Sequence, residues 1–174
     1  MRFDIFGGFE IPRDGYGDGI YSKAFWDEVD ARVDGLSRAC GCYVFALRHG
    51  TNATPIYVGK AEKQAFRHEC FSPGKRHLVD KQLARNPKKA PVLYLLPKVT
   101  HGGKFCKPTT REYPAIQFLE NKLIALALDS NPNLVNAKQI KFLKEMRVPG
   151  IVNSAPGAQS QSVRELQAAL GIGV

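Results

Sequence analysis

Two tyrosines, an arginine and a glutamate stand out in this sequence because their chemistry is complementary. Tyr43 lies in the apolar stretch GCYVFAL and Tyr57 in the stretch IYVG, while Arg67 follows in a charged segment and Glu120 lies within FLENKLIALAL. A carboxylate binds a hard divalent cation, a guanidinium binds a phosphate oxygen through two donors, and a phenol positions or deprotonates water. Brought together, these side chains suit the hydrolysis of a phosphodiester bond.

The spacing of these residues forms a recognisable pattern. The triplet GCY ends at Tyr43 and the triplet YVG begins 14 residues after that tyrosine, so the sequence resembles the GIY-YIG nuclease superfamily. Arg67 and Glu120 occupy the positions of the family's helical arginine and metal-binding glutamate, and NPNLVN, which ends at Asn136, resembles its closing motif. YVGKAEKQAFR is especially similar to the N-terminal incision domain of bacterial nucleotide-excision-repair nucleases. The resemblance covers about residues 41–136.

This resemblance implies a role for each side chain. Glu120 would hold one divalent ion, Mg²⁺ or Mn²⁺, and Arg67 would grip a phosphate oxygen with a fork of donors that lysine lacks. Tyr43 is the family's favoured general base, and it would need a nearby cation because a tyrosine hydroxyl ordinarily titrates near pH ~10. Tyr57 would orient the phosphate or the water. Lys60 would favour an ionised tyrosine or contact the phosphate.

Strand alternation supports the pairing of the two tyrosines. If the two apolar stretches form a hairpin, Tyr43 and Tyr57 point to the same face of it. Gly59 is expected to end the second strand, so that a charged helix starts close to the strand end. Tyr57, Lys60 and Arg67 would then converge on one phosphate.

The sequence departs from the family pattern at two positions. Cys42 replaces an aliphatic residue, which is a mild change because a buried cysteine packs as a small hydrophobe. Phe71 stands where the family often has a histidine or tyrosine, and a phenyl ring cannot move a proton. His68 and His77 are the nearby candidates to replace it. Asn136 would support the site, bind DNA or serve only as a turn residue.

Each residue also has an ordinary structural interpretation. Tyr43 and Tyr57 could form a cross-strand aromatic pair, and Arg67 could be a surface arginine. Glu120 is harder to explain in this way, because a carboxylate at the edge of an apolar helical stripe requires a partner.

The positive charge of the chain is concentrated in one segment. The net charge is +9, and residues 59–111 hold 13 basic and 3 acidic side chains, which gives +10. Residues 1–40 give −3, and the segments 41–58 and 112–174 give +1 each. Such a basic surface is typical of proteins that bind polyanions, above all nucleic acid. The alternatives are a solvated lysine-rich face or a surface that meets an acidic protein.

The predicted fold class is α+β, with a small three-stranded antiparallel or mixed sheet flanked by helices, as in the GIY-YIG fold. The first residues, rich in glycine and aromatics, predict an irregular arm or an edge strand. The predicted regions are 1–40 as an N-terminal extension of arm plus helix, 41–136 as the nuclease-like domain and 137–174 as a C-terminal helical extension. Strands are predicted at 41–47, 56–59 and 90–97, and helices at 22–33, 62–70, 77–85, 114–128, 138–146 and 163–170.

Several classes of protein are disfavoured by the sequence. No apolar run approaches the ~18 residues that predict a membrane span, and the first residues carry acids and glycines where a secretory signal would be apolar. We therefore expect an intracellular, cytoplasmic protein with reduced cysteines, and the family resemblance implies a bacterial or phage source. The cysteine spacing does not match the paired units of zinc ribbons or fingers.

The leading hypothesis is a metal-dependent endonuclease that acts on DNA, with single-stranded and double-stranded substrates both open. One active site cuts one strand, so double-strand cleavage would require a dimer or two binding events. The first alternative is a nucleic-acid-binding module that has lost cleavage, which Phe71 favours. The second is an interaction domain that uses its basic face.

Overall fold

The computed structural model describes residues 1–13, 19–136, 140, 145–152, 157 and 159–172. They belong to two compact units, Met1–Asn136 and Ala137–Val174. No helix within these described ranges is long and apolar enough to cross a membrane. Most of the helix predicted over 138–146 lies outside the described residues.

The first unit is built on an antiparallel sheet of five strands, so the α+β class is confirmed and the three-strand count is wrong. The strand order is β1-β5-β3-β4, and β2 also pairs with β5. The N-terminal arm supplies the two additional strands, because it runs along the outer edge of β5 and satisfies that edge's backbone groups. The strands are β1 (Arg2–Phe3), β2 (Phe6–Glu10), β3 (Gly41–His49), β4 (Asn52–Ala61) and β5 (Ala90–Val99).

The central strands β3 and β5 are buried on both faces, because helices pack on each side of the sheet. This arrangement explains why CYVFAL and PVLYLL are almost continuously apolar rather than alternating. One face carries the larger core, which includes Phe25, Trp26, Phe66 and Phe71. The other face carries a smaller core around Ile116 with three of the four cysteines. All four cysteines are free and buried.

The β3–β4 hairpin is longer than the sequence predicts. The connection expected at 48–55 is mostly strand, and the chain turns at Gly50, whose φ of 59° favours glycine. A bulge near Ala46 shifts the register, so Phe45 faces Tyr57 while Ala46 faces Pro55.

Gly59 does not end β4, which corrects the predicted strand break. The strand continues to Ala61, and the next helix is a single turn that begins only at Phe66. Gly59 lies directly opposite Tyr43 in the ladder. A Cβ at position 59 would come within 2.5 Å of the Tyr43 ring, so the glycine is required by the close approach of this ring and not by a turn.

The helices begin and end where proline and glycine permit. Pro73 and Pro114 each occupy a first helical turn, so the helix predicted over 77–85 begins four residues earlier, at Pro73. In the second unit, the Ser160 hydroxyl caps the last helix by accepting a hydrogen bond from the Val163 N–H at 3.4 Å. Among the described residues the helices are α1 (Gly19–Arg32), α2 (Phe66–Glu69), α3 (Pro73–Arg85), α4 (Pro114–Ser130) and α5 (Gln161–Leu170), with a 3-10 turn at Leu36–Arg38.

Candidate functional site

The hydroxyl of Tyr57 is held by a lysine from α3. The Lys75 Nζ donates a hydrogen bond to the Tyr57 hydroxyl and lies 4.4 Å from the centre of the tyrosine ring. Lys75 sits in the first turn of α3, where its backbone N–H donates to the Ser72 carbonyl at 2.9 Å. The start of α3 therefore places an ammonium group over the half-buried tyrosine.

A second lysine lies on the opposite face of β4. The Lys60 Nζ donates to the Gln117 side-chain oxygen and lies 3.0 Å from a carboxylate oxygen of Glu62. The other oxygen of this buried carboxylate accepts a hydrogen bond from the Tyr113 N–H at the start of α4. These contacts hold Lys60 against the first turns of α4.

Glu120 lies one helical turn after Gln117 and completes the group. The Gln117 Nε2 donates to the Glu120 carboxylate at 3.1 Å. Burial raises the pKa of the Glu120 carboxyl above its ordinary value, and Lys60, the Gln117 hydrogen bond and Lys75 partly oppose this rise. Both lysines therefore lie within electrostatic reach of the carboxylate. We call Tyr57, Lys60, Lys75, Gln117 and Glu120 the edge cluster, because β4 is the edge strand of the sheet.

A divalent ion at the edge cluster would have to share its coordination shell with water and a substrate. Within the part of the chain that the structure describes, no three His, Cys, Asp or Glu side chains gather to hold a metal by themselves. Mg²⁺ is commonly bound through one or two carboxylates, with water and phosphate oxygens filling the remaining positions. Glu120, half-buried and at the edge of the sheet, supplies such a carboxylate.

Tyr43 lies on the same face as Tyr57 but is completely buried. The ring centres of the two tyrosines are 6.2 Å apart, and the side chain of Tyr43 has 0% exposure. Its buried hydroxyl has no hydrogen bond of good geometry within the described residues, and Tyr57 is the side chain nearest to forming one. Burial raises the pKa of Tyr43 well above its ordinary value, with smaller contributions from Cys70 and Tyr57. The environment of Tyr43 thus opposes the ionised form that a general base requires.

Arg67 and His68 lie on the one-turn helix α2 and face α1. Both line a cavity of about 190 Å³ together with Trp26, Asp27 and Asp30. No hydrogen bond or ion pair joins either side chain to the edge cluster in the described ranges. His77 is exposed on α3. The structure therefore links Lys60 to Glu120 through Gln117 and holds Tyr57 on the other face of β4 through Lys75. It places the predicted arginine and histidines outside these contacts.

Phe71 belongs to the core and not to the site. Its ring centre lies 5.0 Å from that of Phe25 and 5.3 Å from that of Trp26. The residue is 4% exposed, so a histidine or tyrosine at this position would place a polar group inside an aromatic cluster. This packing explains the departure from the family pattern.

Asn136 closes the free edge of β4. Its side-chain oxygen accepts a hydrogen bond from the Val58 N–H at 2.9 Å, and its amide nitrogen donates to the Val58 carbonyl at 2.6 Å. The Val135 N–H donates to the Ile56 carbonyl at 3.0 Å. The amide thus takes the place of a neighbouring strand, and both of its hydrogen-bonding groups are engaged by the backbone.

Two members of the edge cluster, Gln117 and Lys75, were not predicted from the sequence. Gln117 precedes Glu120 by three residues, a spacing that places both on one face of a helix, so helical periodicity was sufficient to find it. No sequence signal distinguishes Lys75 from the other 12 basic residues of the segment 59–111. Its contact with Tyr57 depends on how α3 packs against the sheet.

No family model, no curated protein and no solved structure matches the chain. The resemblance to the GIY-YIG nucleases therefore rests on the quoted motifs alone.

Proposed function

We propose that the protein is a metal-dependent endonuclease that hydrolyses DNA phosphodiester bonds at the edge cluster, with a site of the GIY-YIG type. The observation that carries this proposal is the gathering of one carboxylate, two ammonium groups and a tyrosine hydroxyl at a half-buried edge of the sheet. Glu120 would hold one Mg²⁺ or Mn²⁺ ion, which when bound would act as a Lewis acid towards a phosphate oxygen.

Other side chains of the edge cluster supply the general base and the phosphate contact. Tyr57 positions the attacking water and, as a phenolate, accepts its proton, while Lys75 donates a hydrogen bond to the same oxygen. Lys60 contacts a phosphate oxygen, since part of its side chain, 28%, is exposed. The general base is assigned to Tyr57 and not to Tyr43, because the Tyr43 hydroxyl is sealed in the core.

The basic residues around α3 provide a surface for the DNA backbone. His77, Lys81, Arg85 and Lys88 are all exposed, and they follow Lys75 along the chain. Contacts of this kind make affinity fall steeply with salt, because each neutralised phosphate releases counterions. These basic residues would therefore hold the DNA backbone next to the edge cluster.

The proposal is tested by cleavage of labelled single-stranded, double-stranded and branched DNA in Mg²⁺ and in excess chelator, resolved on a denaturing gel. Glu120→Gln is expected to reduce cleavage by about 10²-fold or more while DNA binding is retained. Asp129→Asn is the matched control, since Asp129 is exposed on the same helix. Full activity in chelator, or in the Glu120→Gln variant, would contradict the proposal.

A second candidate is a nucleic-acid-binding module without cleavage. It is favoured by the position of Arg67, which lines a separate cavity against α1. This candidate predicts salt-dependent DNA binding and no cut strand with either Mg²⁺ or Mn²⁺. A chain that binds no oligonucleotide at all would instead point to an acidic protein as the partner of the basic face.

A further inference from the structure

A groove of about 360 Å³ adjoins the edge cluster along the first turns of α4. Phe118 forms part of its wall and is 75% exposed. Tyr113, the residue before α4, lines the same groove. A phenylalanine this exposed is costly to hydrate, and an aromatic face beside a polar cleft is a stacking surface for another flat ring.

The remaining wall of the groove carries amide groups. The Gln117 Nε2 donates to the Asn121 side-chain oxygen at 3.0 Å and to the Glu120 carboxylate at 3.1 Å. Gln117 therefore belongs to both the groove and the edge cluster. Because the Gln117 oxygen also accepts a hydrogen bond from Lys60, this amide is engaged within the protein and shapes the wall. Stacking on an aromatic side chain is therefore the contact that the groove offers to a base.

The charges in the groove argue against a phosphate as its occupant. Glu112 and Glu62 both line it, and carboxylates repel a phosphate. Lys60, the cation in the wall, lies 3.0 Å from Glu62. The two carboxylates therefore leave the lining with a net negative charge, even where Lys60 contacts a phosphate at the edge cluster. A flat, neutral group with N–H donors suits this lining better, because an exposed carboxylate such as Glu112 accepts hydrogen bonds from exocyclic amines.

We propose that this groove binds one unpaired nucleobase, stacked on Phe118, while the adjoining phosphate lies at the edge cluster. The proposal rests on the proposed function and specifies its substrate class: DNA with an unpaired nucleotide beside the cleaved bond, as in single strands, flaps and bulges. A base in an intact duplex keeps both faces stacked on its neighbours, so it must first leave the stack to enter the groove.

The test measures binding without cleavage. Single-stranded oligonucleotides that contain the fluorescent base 2-aminopurine are titrated with the protein in chelator, and fluorescence quenching reports stacking. Phe118→Ala is expected to weaken binding by about 10-fold, the effect of losing one base–aromatic stack, and to reduce the quenching. Phe118→Trp should retain both. Leu126→Ala is the matched control, because Leu126 is 53% exposed on the same helix.

The outcomes separate this proposal from the proposed function. Unchanged binding and quenching in Phe118→Ala overturn the base site, as does equal dependence on Phe118 with fully paired duplex. Absence of binding to single strands also overturns it. Phe118-dependent quenching in a chain that cuts no DNA under any condition keeps the base site and refutes only the nuclease.

Discussion

The rings of Tyr43 and Tyr57 lie side by side with their centres 6.2 Å apart, yet only the Tyr57 hydroxyl has a hydrogen-bond partner among the described residues. Lys75 donates to Tyr57, whereas the Tyr43 hydroxyl is enclosed by the core. The two tyrosines of the motif are therefore chemically different, and the accessible hydroxyl is that of Tyr57 and not that of Tyr43, the expected base.

The two tyrosines should respond differently to loss of the hydroxyl. Tyr57→Phe is expected to reduce the cleavage rate by about 10²-fold or more, because a positioned base contributes on that order. Tyr43→Phe should cut within a few-fold of the unmodified protein. It should also be more stable by about 1 kcal/mol, since a buried hydroxyl without a partner is removed. Single-turnover rates measure the loss of cleavage, and urea unfolding measures the change in stability. A larger loss of rate in Tyr43→Phe than in Tyr57→Phe would show that Tyr43 is the general base.

Lys75 should affect turnover more than binding. Lys75→Met removes the donor to the Tyr57 hydroxyl and the positive charge beside it, so the cleavage rate should fall about 10-fold or more. Lys81→Met, on an exposed position of the same helix, should weaken binding and lower the salt slope by about 1. Identical effects of the two substitutions would show that Lys75 is only part of the basic surface.

Protonation of Glu120 should cause the loss of cleavage at low pH. Burial raises the pKa of its carboxyl, so the ionised form should be lost, and cleavage with it, at a higher pH than for an ordinary glutamate. The folded state disfavours the charged carboxylate, which costs stability above the raised pKa and costs nothing once the group is protonated. Glu120→Gln should therefore stabilise the protein slightly at neutral pH, and this gain should vanish in acid. Urea midpoints that differ equally at every pH would contradict the assignment.

Gly59 should be intolerant of a side chain. A Cβ would lie 2.5 Å from the Tyr43 hydroxyl and 2.8 Å from the Tyr57 ring, so Gly59→Ala is expected to lose about 1–3 kcal/mol of stability through overpacking. Gly74→Ala is the control, because that glycine lies in α3 with no atom within 4 Å of the added methyl group. It should gain about 0.5–1 kcal/mol. Thermal unfolding compares the stability of the two variants, and equal effects would contradict the predicted steric clash at position 59.

Asn136 should act on stability and not directly on DNA. Asn136→Ala leaves the N–H and carbonyl of Val58 without their partners, which is expected to cost about 2 kcal/mol or more. Asn133→Ala, at an exposed position nearby, should change stability by less than about 0.5 kcal/mol. Chemical unfolding and filter binding are measured on the same variants. Weaker DNA binding with unchanged stability would restore the DNA-contacting role.

Much of the architecture follows from local patterns in the chain. The apolar stretches of β3 and β5, the long helix that carries Glu120 and the shared face of Tyr43 and Tyr57 all arise from periodicities that neighbouring residues impose. The concentration of charge in the segment 59–111 is likewise a property of the sequence. These features do not depend on which helices and strands pack against one another.

The composition of the candidate site was decided only by the tertiary structure. Lys75 reaches Tyr57 because α3 begins at Pro73 and packs on the sheet, while Arg67, eight residues earlier, faces α1 instead. Gly59 is set by a ring from the opposite strand, and the arm becomes part of the sheet because β5 has a free edge. Such contacts join residues that are distant in sequence, so they depend on how whole helices and strands pack. They produce no periodic pattern in the sequence from which they could be predicted.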